Sequence, residues 1–190
     1  MIIYNGELVA SGLFTTAGGV SSNHIAKWNG TSWSSIGSGM DGKVTALAVH
    51  NGELYAGGLF NQAGSVNAKN IAKWDGQNWS AVGSGINGDQ VYTLASFDNQ
   101  LYAGGNFTSG SGNAASYFMC WDGSQWNAVG SGVDGPVICL TADNSSLLIG
   151  GNFSNAGGVS ANNIATLSYI TSVDGDENIQ HQFSLKQNYP

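Results

Sequence analysis

The sequence predicts an all-β chain, a β-propeller of four-stranded antiparallel blades. Three observations carry that expectation. The six tryptophans fall in three pairs of equal internal spacing, Trp28/Trp33, Trp74/Trp79 and Trp121/Trp126, and consecutive pairs lie 46 and 47 residues apart. Phe14, Phe60, Phe107 and Phe153 keep nearly the same step independently. Glycine supplies 29 of 190 residues against two prolines, which in an apolar and aromatic sequence suits short strands joined by tight turns. Self-similarity at this period means one supersecondary unit copied in series.

The clearest copy runs from Val44 to Gly83. Its first strand is V-T-A-L-A-V (Val44 to Val49), and Asn51-Gly52 turns into a second, E-L-Y-A-G-G-L-F (Glu53 to Phe60). A loop from Asn61 to Lys69 leads to the third, N-I-A-K-W (Asn70 to Trp74). Asp75-Gly76 then turns into N-W-S-A-V-G (Asn78 to Gly83). No stretch shows a sustained helical period. Applied throughout, this frame gives about four blades, near 1–37, 44–83, 91–130 and 137–170, with residues 171–190 as a polar linker and tail. The first blade keeps only Met1 to Tyr4 of its inner strand. In the last, Leu167 stands in the slot of the inner tryptophan and no fourth strand is expected. The expectation is therefore an open arc or poorly sealed ring, a piece of a longer polypeptide.

The glycine doublets Gly57-Gly58, Gly104-Gly105 and Gly150-Gly151, with Ser11-Gly12 in the first copy, end the second strand of each unit. Strand glycines mark close backbone approach, so neighbouring blades should crowd there. The paired indoles are the natural groups to fill the space between blades, a core role preferred over a sugar-stacking platform. Asn23, Asn70 and Asn163 recur before Ile-Ala and are expected to close turns through the backbone. The G-S-G-x-D/N-G strings beginning at Gly37, Gly83 and Gly130 offer too few oxygens for calcium and are expected to link blades.

Charge and cysteine content exclude several roles. Twelve acids against five lysines, without arginine, give a net charge of −7, the wrong sign for a phosphate backbone. Nucleic acid is not an expected partner, and no apolar run is long enough to span a bilayer. Cys120 and Cys139 have no counterparts in the other copies, which favours free thiols over a bridge. His24, His50 and His181 lack metal-ligand spacing, and no cofactor is implied. Asp75 and Asp122, with Asn29 in the same slot, occupy repeated hairpin turns. Repetition favours turn formation over a catalytic carboxylate pair, which must be asymmetric.

The succession of an apolar run, Gly-Gly, Trp-Asp-Gly and a second tryptophan resembles the Kelch-type and galactose-oxidase-like propeller repeat. W-D-G-x-x-W-x-x-V-G, at Trp74 to Gly83 and Trp121 to Gly130, is also similar to repeats of the fungal cortical polarity-marker family and of many large secreted bacterial proteins. The resemblance implies a fold and no activity; no copper-ligand set of a galactose oxidase can be placed on these residues. F-S-L-K-Q-N-Y-P, including Phe183, Leu185, Asn188, Tyr189 and Pro190, resembles the opening of the carboxy-terminal sorting domain of type IX secretion cargo. That resemblance implies export through secretion machinery to the outer cell surface or beyond. The functional expectation is a non-catalytic surface or secreted module for protein or glycan interaction, binding through Asn61 to Lys69 and Thr108 to Ser116, where the copies diverge. Two alternatives stand beside it: part of a secreted polysaccharide-acting enzyme whose catalytic residues lie elsewhere, or a structural spacer.

Overall fold

A computed structural model describes residues 1–115, 117–170 and 180–184, the last five and residues 169–170 as backbone. The described chain is all-β and antiparallel, built as four successive units, each a meander whose strands neighbour one another in chain order. Unit 1 pairs Ile2–Tyr4, Glu7–Ser11, Ile25–Trp28 and Trp33–Ser35. Unit 2 pairs Lys43–His50, Glu53–Leu59, Ile71–Trp74 and Trp79–Ala81. Unit 3 pairs Ile86–Phe97, Gln100–Gly110, Phe118–Trp121 and Trp126–Ala128. Unit 4 pairs Val137–Ala142, Ser146–Gly151, Ile164–Ile170 and Gln180–Ser184.

The last strand corrects the expectation that unit 4 has none. Leu167 pairs with Phe183 in the register that pairs Trp28 with Trp33, Trp74 with Trp79 and Trp121 with Trp126. Five of the residues assigned to linker and tail thus belong to the fourth sheet. The strand was hidden because its partner follows after a long polar stretch instead of a Trp-Asp-Gly turn. Leu185, Asn188, Tyr189 and Pro190 lie outside the described residues.

Each hairpin has a local cause. Asn5-Gly6 and Asn51-Gly52 adopt positive φ at both central positions, the twist-matched turn that favours this dipeptide. At the outer hairpins a side-chain carboxylate or amide oxygen closes the turn. Asp75 Oδ1 accepts from the amides of Gln77 and Asn78 at 2.7 Å, Asp122 Oδ1 from Ser124 and Gln125 at 2.8 Å, and Asn29 Oδ1 from Thr31 and Ser32 at 2.9 Å. The linking turns work similarly, since Asp41 Oδ1 caps the amides of Asn61 and Gln62, and Asp134 Oδ1 those of Ser154 and Asn155.

The phenylalanine and glycine landmarks recur together because one residue ties them. His24, Asn70, Tyr117 and Asn163 all hold φ between 61° and 67°. Their amides donate to the carbonyls of Phe14, Phe60, Phe107 and Phe153, and their carbonyls accept from Gly12, Gly58, Gly105 and Gly151. In the first copy this slot belongs to His24 and not Asn23, a correction of one residue. Asn23 instead donates from Nδ2 to the Ser38 carbonyl at 3.0 Å, while Asn70 Nδ2 donates to the Ile86 carbonyl at 3.0 Å.

Each glycine doublet answers two separate demands. A Cβ on Gly57 would lie 2.7 Å from Val91 Cγ1 of unit 3, and one on Gly104 would collide with Val137 of unit 4. The second glycines face their own sheet: a Cβ on Gly58, Gly105 or Gly151 would strike the carbonyl oxygen of Lys43, Gln90 or Pro136, where the register shifts by a bulge. The core accordingly divides into three clusters, each between consecutive units. Trp79, Trp121 and Trp126 are buried there, whereas Trp28, Trp33 and Trp74 are half-buried. Their paired ring centroids stand 5.2 to 5.5 Å apart. At ~25 cal/mol per Å² and roughly 150–250 Å² per ring, each buried indole contributes several kcal/mol to this stacking.

Candidate functional site

At the end of the sheets where first and second strands turn, an open cleft of about 450 Å³ lies between units 2 and 3. Unit 2 lines it with His50, Asn51, Glu53, Tyr55 and Lys73, and unit 3 with the Asp98–Gln100 turn, Trp121 and the Asp122-Gly123 turn. Strand alternation sets the unit 2 wall. Glu53 and Tyr55, two residues apart, share a face, and Lys73 pairs directly across from Tyr55. Lys73 Nζ lies 3.1 and 2.9 Å from the two carboxylate oxygens of Glu53, and Tyr55 Oη donates to Glu53 Oε2 at 3.3 Å. Both partners of the ion pair are about one-third exposed, so its own contribution to stability is ~0–1 kcal/mol.

His50 closes the wall against unit 3. Its Nδ1 lies 2.9 Å from Ser96 Oγ, and its Nε2 3.1 Å from Asn51 Nδ2. An amide nitrogen only donates, so Nε2 accepts and the Nδ1 proton goes to the serine. This is the neutral tautomer, consistent with burial pushing the His50 pKa down against the opposing charge of Glu53. The imidazole meets the Tyr55 ring edge-on, with centroids 5.9 Å apart. Burial, then the charge and hydrogen bond of Glu53, push the Tyr55 phenol up to about 12.

These polar groups are committed to one another. Both imidazole nitrogens are occupied, Glu53 is held by a cation and a phenol, and Asp122 is fixed by backbone amides that hold its carboxyl well below the usual range. The unit 2 wall thus presents fixed donors and acceptors to the cleft. Parts of it recur at other junctions, since Tyr102 Oη donates to Gln100 Oε1 at 3.0 Å in unit 3 as Tyr55 does to Glu53, and the histidine is what sets this junction apart. The His50 slot holds Tyr4, Phe97 and Asp143 in the other units, and the Tyr55 slot holds Val9, Tyr102 and Leu148. The Glu53–Lys73 pair has one counterpart, Lys27–Glu7 at 2.7 Å in unit 1; unit 3 has Gln100 and Cys120 instead.

Most residues singled out in the sequence serve the scaffold. Phe60, Phe107 and Phe153 are buried and Phe14 is half-buried. The two segments expected to bind are at the opposite end of the sheets from the cleft. Within them Gln62–Ala63 pairs with Val66–Asn67, and Asn113–Ala114 pairs with the extended second strand of unit 3; Ser116 lies outside the described residues. Cys120 is half-buried, and burial with the nearby Asp122 charge pushes its thiol up to about 11; Cys139 is exposed, and both are free. No cluster of metal-ligating side chains and no helix able to cross a membrane occurs among the described residues. Sequence reasoning missed the cleft. Its signal was His50, the histidine that breaks the aromatic series Tyr4, Phe97 at the hairpin end. The chain matches no family model and no curated protein.

Proposed function

We propose that this chain is a β-propeller module of the Kelch-like kind, secreted or held at the outer cell surface, that binds a protein or glycan ligand without transforming it. The radial arrangement is supported by the packing of the first strand of each unit against the first strand of the next, as a propeller axis requires. The ligand site of this reading is the cleft between units 2 and 3, and the observation that carries it is the departure from repetition there. His50 breaks the repeat beside the Tyr55, Glu53 and Lys73 network, and together they form a prearranged polar wall at the junction of units 2 and 3. Export rests on the sorting-like tail, a sequence resemblance alone.

The test is binding of the whole chain to a glycan array and to immobilised cell-surface proteins, alongside Glu53→Ala and Lys73→Ala. The reading predicts a ligand whose affinity falls at least tenfold in both variants while Gln62→Ala, on the opposite end, leaves it unchanged. A ligand that ignores the cleft variants, or none on either surface, contradicts it.

A further inference from the structure

The acidity at the cleft end of the sheets is not demanded by the turns that carry it. The turn between first and second strands opens with Asn5 in unit 1 and Asn51 in unit 2. Unit 3 has Asp98 there, then Asn99 at a φ of 56° where the others have glycine. At the turn between third and fourth strands, Asn29 makes the backbone bonds of Asp122 without its charge. Asp98 lines a second cleft as well, of about 300 Å³ between units 3 and 4, with Asp143 on the unit 4 wall. All three carboxylates are exposed, and that of Asp98 bonds no other described residue. Against them the two clefts hold one cation among the described residues, Lys73, whose charge Glu53 already matches. Two of its three ammonium protons go to the Glu53 oxygens, which leaves one for a neutral acceptor.

We propose, on the reading of the first cleft as a ligand site, that what fills it is an extended basic segment of a partner protein. The segment lies across the Asp98–Asn99 turn from one cleft into the next. Its lysine or arginine side chains stand beside Asp98, Asp122 and Asp143, and a main-chain carbonyl accepts the remaining Lys73 proton. Charge complementarity selects this occupant, because three unmatched carboxylates along two adjoining clefts suit several cations carried on one chain. Phosphate- or sulfate-bearing chains meet the wrong sign. A sugar chain finds no stacking platform, since Tyr55 and Trp121 in the first cleft are only 3% and 9% exposed.

The experiment is titration calorimetry of the whole chain with hexalysine, hexaglutamate and cellohexaose. The variants are Asp98→Asn, Asp122→Asn and Asp143→Asn. The control is Asp75→Asn, in the Asp122 slot of unit 2 but outside both clefts. Asparagine already fills the Asp98 and Asp122 slots in other units, so loss of folding should not intervene, and circular dichroism checks this. Hexalysine should bind and hexaglutamate should not. Each cleft variant should weaken hexalysine roughly threefold, the contribution of one exposed ion pair, while the control leaves it unchanged. Affinity should also fall about tenfold between roughly 0.01 and 0.15 M salt. Failure of hexalysine to bind, or equal losses in the control and the cleft variants, overturns the basic partner. Cellohexaose binding that Glu53→Ala abolishes and Asp98→Asn spares overturns it too, yet leaves the first cleft a ligand site. Ligands indifferent to both Glu53→Ala and Asp98→Asn overturn both readings.

Discussion

The indole nitrogen of Trp79 donates to the carbonyl oxygen of Ile36 at 3.0 Å, joining the outer strand of unit 2 to the turn that leaves unit 1. Gly37, the next residue, has no side chain to hold the ring away; a Cβ there would lie 3.0 Å from both Trp74 and Trp79. One unit later Gly83 faces the Trp121 ring in the same way, without the indole hydrogen bond. Units 2 and 3 thus insert their indole pairs behind the closing turn of the preceding unit.

Trp79→Phe should therefore cost about 2–4 kcal/mol, from lost ring area together with the lost indole hydrogen bond to Ile36, whose carbonyl keeps the Gly39 amide. Trp126 is the contrast: it is fully buried, but its Nε1 has no partner. Trp126→Phe removes an unsatisfied donor along with ring area and should cost less than Trp79→Phe. Urea denaturation of the two variants checks the order.

The glycine doublets give a second test. Gly57→Ala drives a methyl group into Val91 at an internal junction and should destabilise by about 1–3 kcal/mol. Gly150→Ala meets only Cys139 Sγ of its own sheet, at 2.7 Å, and that exposed side chain can move. It should cost less than about 1 kcal/mol. Thermal unfolding of the pair at one protein concentration separates them.

Acid should weaken the protein partly through His50. Its folded pKa lies below the ordinary 6.5, so the unfolded chain binds the proton more readily. The stabilisation is complete above pH 6.5 and is lost as pH falls from there through the folded pKa. His50→Phe, which places the residue of the Phe97 slot at this position, should flatten the stability profile in that window. Below it, Asp75, Asp122, Asp134 and Asp143, all with lowered pKa values, should still drive a decline as they protonate.

Alkali should act through Tyr55, whose folded pKa of about 12 lies above the ordinary 10. The phenol stays protonated longer in the folded chain, so its contribution is present below pH 10 and lost as pH rises toward 12. Glu53→Gln removes the charge but not the burial, the larger cause, so the Tyr55 titration should move only part of the way back. Ultraviolet titration of tyrosinate checks this.

What was legible in the sequence was whatever repeats. Trp28/Trp33, Phe14 and the doublets at Gly57 and Gly104 announce the period because packing between identical neighbours imposes the same demand at each copy. What was not legible falls where repetition stops. The fourth strand of unit 4 lacks the tryptophan and short turn that mark its counterparts, and His24 replaces asparagine in the left-handed slot, hiding that slot behind Asn23. The cleft is assembled from hairpin ends of two units, each ordinary as a turn. Only their juxtaposition brings His50 to Ser96 and places Trp121 beside the Glu53–Lys73 pair.

The central claim is that consecutive sheets stack with the first strand of each against its neighbour. Nuclear Overhauser contacts in the labelled full chain test it most directly. Cross-peaks should join the Gly57 α-protons to the Val91 methyls, the Gly104 α-protons to the Val137 methyls, and Gly37 to the Trp79 ring. Strand-to-strand contacts within each sheet without those three junction contacts would mean that the units do not stack in this way, and the account would fail with them.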